Sequence, residues 1–293
     1  MLKLNKKFGL NSIHNSYKYI ASFCLVFAAF NFFIEKIAVK NQGKNNPQVV
    51  DINLNQVQSY KPKELTIKET KPIVQKKLDN VPIETRKKDF IAELLPIVHN
   101  ANQNIIKKRE QLFNIERKIH SNSLNVLDSA ILKKFFNEYK VKNQDLTELK
   151  KRIDIIPVSL VIAQAAIESG WGTSRFAQQG NAYFGQKVIG IKANGIQPNE
   201  SKNPKIKVRS FANLNDSVLA YLNNLNTHFA YKGLRKSRHE LRSFGKILQG
   251  EVLANQLDRY SELGNEYVHN VQKIIKKNNL NKYDFIEYQS ARR

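Results

Sequence analysis

Residues 155–187 read IIPVSLVIAQAAIESGWGTSRFAQQGNAYFGQK, and this stretch decides the fold. Pro157 suits a first helical turn, where a missing N–H leaves no bond unmade. From Val158 to Ile167 nearly every residue is apolar, which predicts a helix buried on all sides at the centre of a domain. Glu168 closes that helix, and Ser169, Gly170, Trp171 and Gly172 follow. A carboxylate there meets the negative end of the helix dipole and loses water, so both effects raise its pKa. Trp171 would add an apolar wall. A carboxyl kept protonated near neutral pH suits general acid chemistry, as in the known case of lysozyme. The alternative is an ion pair of Glu168 with Arg175 or a Lys, with Gly170 as an ordinary helix stop.

Outward from this stretch, the 293 residues carry 48 Lys and Arg against 25 Asp and Glu, a net charge of +23. The excess runs along the whole chain instead of collecting in one arm, so it does not form a nucleic-acid footprint. It suits polyanionic surfaces such as wall polymers and lipid head groups. A hydrophobic fraction of 41% is too high for a disordered chain and too low for a polytopic membrane protein. A single cysteine excludes a disulfide framework within the chain and any multi-cysteine metal site. The six His show no paired ligand spacing, and no glycine-rich phosphate loop occurs. No metal or cofactor is expected.

Residues 1–18 form a basic tail, and 19–34 (YIASFCLVFAAFNFFI) form an uncharged apolar run that contains Cys24. The run is short for a span of about 17–25 residues, but Tyr19 and Lys18 at its edge extend it. A cleaved signal is the competitor, although no small-residue cleavage pattern follows. The expectation is a single-pass inner-membrane anchor with the rest of the chain in the periplasm, or a periplasmic protein if the segment is cleaved. Residues 35–87, rich in Asn, Gln, Lys and Pro, read as a disordered linker whose ends would sit roughly 40 Å apart. From Lys88 to 150 apolar stripes at helical spacing predict amino-terminal helices, one around Phe90–Val98 and one around Ile105–Ile119. Another is expected across Leu124–Tyr139, and a short one capped by Asp145. A catalytic domain over 151–282 and a tail over 283–293 complete the expected organisation.

AQAAIESGWGTSRFAQQGNAYFGQK resembles the signature of the glucosaminidases of glycoside hydrolase family 73, which cleave peptidoglycan glycan chains. Residues 208–235 and 260–275 resemble the Bax-type branch of that family. The resemblance implies a mainly α, α+β lysozyme-like fold with a small β-lobe. It also implies an endo-β-N-acetylglucosaminidase with peptidoglycan strands as substrate and Glu168 as general acid. Tyr260 matches a tyrosine that lines the family's cleft and assists catalysis, and Tyr267 is a second candidate from the same block.

Trp171 and Phe184 would pack the cleft floor and stack on sugar faces, unless they are ordinary core aromatics. Gln164, one turn before Glu168 on the same helix face, either binds substrate or packs as an amide. Many family members carry a second carboxylate in the β-lobe. Here 188–211 offers Glu200, a candidate base or a plain loop-tip carboxylate, with a turn expected at Asn194-Gly195. Asp216 is expected to cap the helix Asp216–Thr227. Without a second carboxylate, the substrate's own acetamido group could serve as nucleophile. The rival readings are a lytic transglycosylase, a glycosidase of mannosyl-glycoprotein cores and a non-catalytic wall-binding module.

Overall fold

The computed structural model describes residues 81–285 except 200 and 202. The basic tail, the run 19–34, most of the linker, Glu200 and the residues beyond 285 lie outside the described residues. Among the described residues, no helix is long and apolar enough to cross a membrane.

The structure is mainly helical. Helix α1 (Ile83–His120) joins the two apolar stripes expected as separate helices, and it begins at Ile83 rather than Lys88. It runs through Pro96, and Asn102 between the stripes binds Ile156 instead of capping a new helix. Helix α2 (Val126–Glu138) and α3 (Leu146–Arg152) follow, capped by the side chains of Asn125 and Asp145. Helix α4 (Val158–Ser169) is the centre: residues 158–166 and Ser169 are buried. It packs against α1 and against two helices from the carboxyl-terminal third, α8 (Gly250–Leu253) and α9 (Asn265–Lys277). Each fully buried Leu, Ile or Val there contributes about 1.5–3 kcal/mol.

The segment Ile153–Pro157 that leads into α4 is buried without regular pairing, so side chains must satisfy its backbone. Asn102 of α1 donates to the Ile156 carbonyl at 2.8 Å and accepts the Ile156 N–H at 3.3 Å. Arg238 donates to the carbonyls of Asp154 and Ile155 at 3.0 and 2.9 Å. The Asp154 carboxylate faces Arg242 at 2.8 Å, Arg109 at 3.7 Å and Arg238 at 3.8 Å. At the front of α4, Asp284 accepts the Ser159 N–H at 2.9 Å and its hydroxyl at 2.6 Å, and also takes the Gly250 N–H at 2.9 Å. The expected tail from 283 therefore starts too early: Asp284 is buried and bound to α4.

After α5 (Arg175–Gly180) come β1 (Lys187–Ile189), β2 (Gly195–Ile196) and β3 (Ile206–Arg209). The sheet order is β1-β3-β2, antiparallel, with Val188 opposite Lys207 and Gly195 opposite Arg209. Asn194-Gly195 is thus not a hairpin turn between paired neighbours. Gly195 lies in the strand, where a Cβ would sit 2.5 Å from the Val208 carbonyl oxygen. Helix α6 (Leu214–Thr227) starts two residues before Asp216, and its cap is Asn213, whose side chain accepts the Asp216 N–H at 2.9 Å. A 3₁₀ turn (Phe229–Tyr231) and α7 (Lys232–Ser243) lead on to α8.

Candidate active site

The carboxyl end of α4 turns a corner through three successive left-handed residues, Gly170, Trp171 and Gly172 (φ 59°, 58° and 78°). The Trp171 N–H returns to the Ala166 carbonyl at 2.9 Å. The buried Ser169 hydroxyl donates to the Ala165 carbonyl and accepts the Gly172 N–H at 2.9 Å, so it ties the corner to the helix. A left-handed Trp costs about 1–2 kcal/mol of backbone strain. Packing offsets it: the Phe90 ring meets Trp171 edge-on at 5.5 Å, and Lys87 lies 5.7 Å from its ring centre.

This corner fixes Glu168 half-buried at the helix end. Burial raises its pKa, and a hydrogen bond from the Tyr267 hydroxyl lowers it without cancelling the rise. Arg175 does not pair with it; that guanidinium donates to the Gln197 carbonyl at 2.8 Å. Gly185 passes close by with φ +60°, and a Cβ there would lie 2.9 Å from Glu168 Oε2. Only a glycine both adopts that backbone comfortably and leaves room for the carboxyl.

Tyrosines from three elements gather on this carboxyl. Gln164, one turn back on α4, donates to the Tyr267 hydroxyl at 3.0 Å and accepts from the Tyr221 hydroxyl. Tyr260 stacks on Tyr267 at 5.3 Å, and its hydroxyl donates to the Phe184 carbonyl at 2.9 Å. Tyr231 lies 6.0 Å from Tyr260. Burial raises the pKa of all four tyrosines, and the Glu168 charge raises each further. They remain protonated as donors.

The structure brings Glu168, Gln164, Tyr260 and Tyr267 together. For two residues the contacts support the packing alternative. Gln164 is 0% exposed and its amide is engaged by two tyrosines, so it orients Tyr267 instead of touching substrate. Phe184 is 2% exposed and stacks on Tyr221 at 4.0 Å, so it has no face for a sugar; its carbonyl holds Tyr260. Trp171 turns its ring to α1 and stays half-exposed. Glu200 lies outside the described residues.

Tyr221, Tyr231 and Gly185 were not among the expected site residues. Tyr221 sits in an apolar stripe of α6 that reads as core, and Tyr231 follows a helix end with no local signal. Among the described residues, no group of three or more His, Cys, Asp or Glu could hold a metal ion.

A family model described as mannosyl-glycoprotein endo-beta-N-acetylglucosaminidase matches residues 143–280, from just ahead of α3 to just past α9. The matched domain makes the protein a glycosidase-type enzyme acting on glycan, and Glu168 lies inside that match. It is 34% identical over 215 residues to Protein bax of Escherichia coli (strain K12), across 71% of this chain and 70% of that one. The chain belongs to the Bax-type glucosaminidase family. No solved structure matches it.

Proposed function

We propose that the protein is an endo-β-N-acetylglucosaminidase that hydrolyses the peptidoglycan strand after N-acetylglucosamine, on a lysozyme-like helical domain. The observation that carries this is Glu168: a carboxyl at the end of a buried helix, raised by desolvation and faced by tyrosine donors. Its proton goes to the leaving glycosidic oxygen as the bond to the anomeric carbon breaks. Among the described residues, the group acting on Glu168 is the Tyr267 hydroxyl. In this reading the substrate's 2-acetamido oxygen attacks the anomeric carbon. Water then adds at that carbon, restores the acetamido group and returns a proton to Glu168. Half-buried Tyr260 lines the cleft wall.

Mass spectrometry of products from purified sacculi tests this with the full chain and with Glu168→Gln. Hydrolysis leaves a reducing N-acetylglucosamine end, and the variant loses at least about a hundredfold in rate. A muramic end lighter by one water points to a transglycosylase. Equal release by both proteins removes Glu168 from the chemistry, and release by neither leaves a binding module. The same reading holds the domain outside the cytoplasm by residues 19–34. Extraction of cell membranes with alkaline carbonate checks the anchor, because a spanning segment stays in the pellet.

A further inference from the structure

A line of rings leaves the Glu168 cluster and ends on the surface. Tyr260 is followed by Tyr231 at 6.0 Å, Tyr231 by His228 at 5.8 Å, and His228 by Phe229 at 4.5 Å. Phe229 is 77% exposed. The backbone under it is pinned: the buried Arg235 donates to the carbonyls of Leu225 and His228 at 3.0 and 2.8 Å, and Arg152 donates to that of Thr227 at 3.2 Å. The His228 ring accepts the Ala230 N–H at 3.3 Å. The Phe229 ring is thus held outward on a pinned turn, packed against the His228 ring.

Phe229 and His228 line an open hollow of about 520 Å³ together with Lys140 and Lys142. The two acids in its wall are engaged. Glu148 pairs with Arg152 at 2.8 Å, and Asp145 caps α3 by accepting the Glu148 N–H at 3.0 Å. The lining of the hollow therefore combines an exposed aromatic ring with two lysines. That combination fits a sugar ring bearing a carboxylate: the ring stacks on Phe229 and the anion meets the lysines.

We propose that the Phe229–Lys140–Lys142 hollow is an outlying subsite for the carboxylate-bearing units of the strand whose cleavage is assigned to Glu168. This deepens the glucosaminidase reading and rests on it. It gives the enzyme a means of preferring anionic wall glycan over a neutral chitin chain of the same backbone. The carboxylate comes either from the lactyl ether of the sugar or from an attached stem peptide.

The test is steady-state kinetics of the full chain and two variants, Phe229→Ala and Lys140→Ala/Lys142→Ala. The substrates are peptide-bearing glycan strands and chitohexaose. The double lysine variant is expected to raise KM about fivefold on the anionic strands, leave kcat unchanged and leave chitohexaose unaffected. Phe229→Ala is expected to raise KM on both substrates. An unchanged KM in the lysine variant, or an equal rise on chitohexaose, overturns the proposal. Strands stripped of peptide keep the lysine effect if the lactyl carboxylate is bound and lose it if the peptide is; either result supports the subsite. Calorimetric binding of anionic strands to Glu168→Gln, with and without the lysine changes, reads the subsite apart from turnover. A wild type that cleaves nothing therefore defeats the glucosaminidase reading, while the binding arm still decides the subsite.

Discussion

The Gln164 amide donates to the Tyr267 hydroxyl at 3.0 Å, which leaves the single Tyr267 proton to point at Glu168. The chain Tyr221 to Gln164 to Tyr267 to Glu168 runs in one direction, so the last donor is set by the first. Tyr267 favours the ionised form of Glu168 and opposes the larger effect of burial.

Removing that donor leaves burial unopposed. In Tyr267→Phe the Glu168 pKa rises further, and a general acid works only while protonated. The alkaline limb of the pH profile of kcat/KM is expected to move to higher pH, with a several-fold lower rate at the optimum. A limb that stays in place, or moves down, contradicts the role given to the hydroxyl.

Gly185→Ala is expected to injure activity far more than stability. Its φ of +60° and the 2.9 Å approach to Glu168 Oε2 force the carboxyl to shift. The backbone strain is about 1 kcal/mol, worth a Tm drop of about 2–4 °C, whereas a displaced catalytic group costs on the order of a hundredfold in kcat. Thermal melting beside the rate on sacculi separates the two effects, and a loss of both in proportion points to misfolding.

Much of this was legible before any coordinate. Helix α4, its stop at Gly170, the Asp145 cap and Glu168 at the helix end are written in local chemistry: apolar runs, capping side chains, a glycine. What escaped depends on distant partners. Nothing near Gln164 announces that Tyr221 and Tyr267 will take both ends of its amide, and Phe184 looks like a platform until Tyr221 covers it. Asn213 and Asp216 are both good caps, and only the backbone path into α6 chose Asn213. Phe90–Val98 and Ile105–Ile119 read as two helices because the apolar spacing lapses between Val98 and Ile105. Yet Asn102 spends its polarity inward on Ile156, and the helix continues.

Two buried aspartates give opposite pH signatures. Arginines overcome the desolvation of Asp154 and hold it at about 2 against 3.8, so its stabilisation is present above pH 3.8 and is lost as pH falls toward 2. That difference is worth about 2 kcal/mol. Denaturant titrations across this window are expected to show the loss in the wild type and a flatter response in Asp154→Asn, which starts less stable. An equally steep response in the variant would falsify the assignment.

Asp284 behaves in reverse: burial raises its pKa above the free value despite three accepted hydrogen bonds. The protonation-linked part of its stabilisation is complete below pH 3.8 and declines as pH rises through the raised value, while the three accepted hydrogen bonds persist at neutral pH. Asp284→Ala strands the Ser159 and Gly250 donors and is expected to cost about 2–4 kcal/mol. Melting at neutral pH should show a drop of roughly 5–15 °C; an unchanged melt sinks the clip.

Asp284 also sets the order in which this part of the fold can be assembled as the chain is made. The helix that bears Glu168 is fastened at its front by a residue 125 positions after Ser159, and Tyr260 and Tyr267 likewise follow Glu168 in the chain. A ribosome makes the carboxyl first and its supports much later. A nascent chain therefore carries Glu168 without the side chains that surround it, and its surroundings are complete only once residue 284 has emerged and docked.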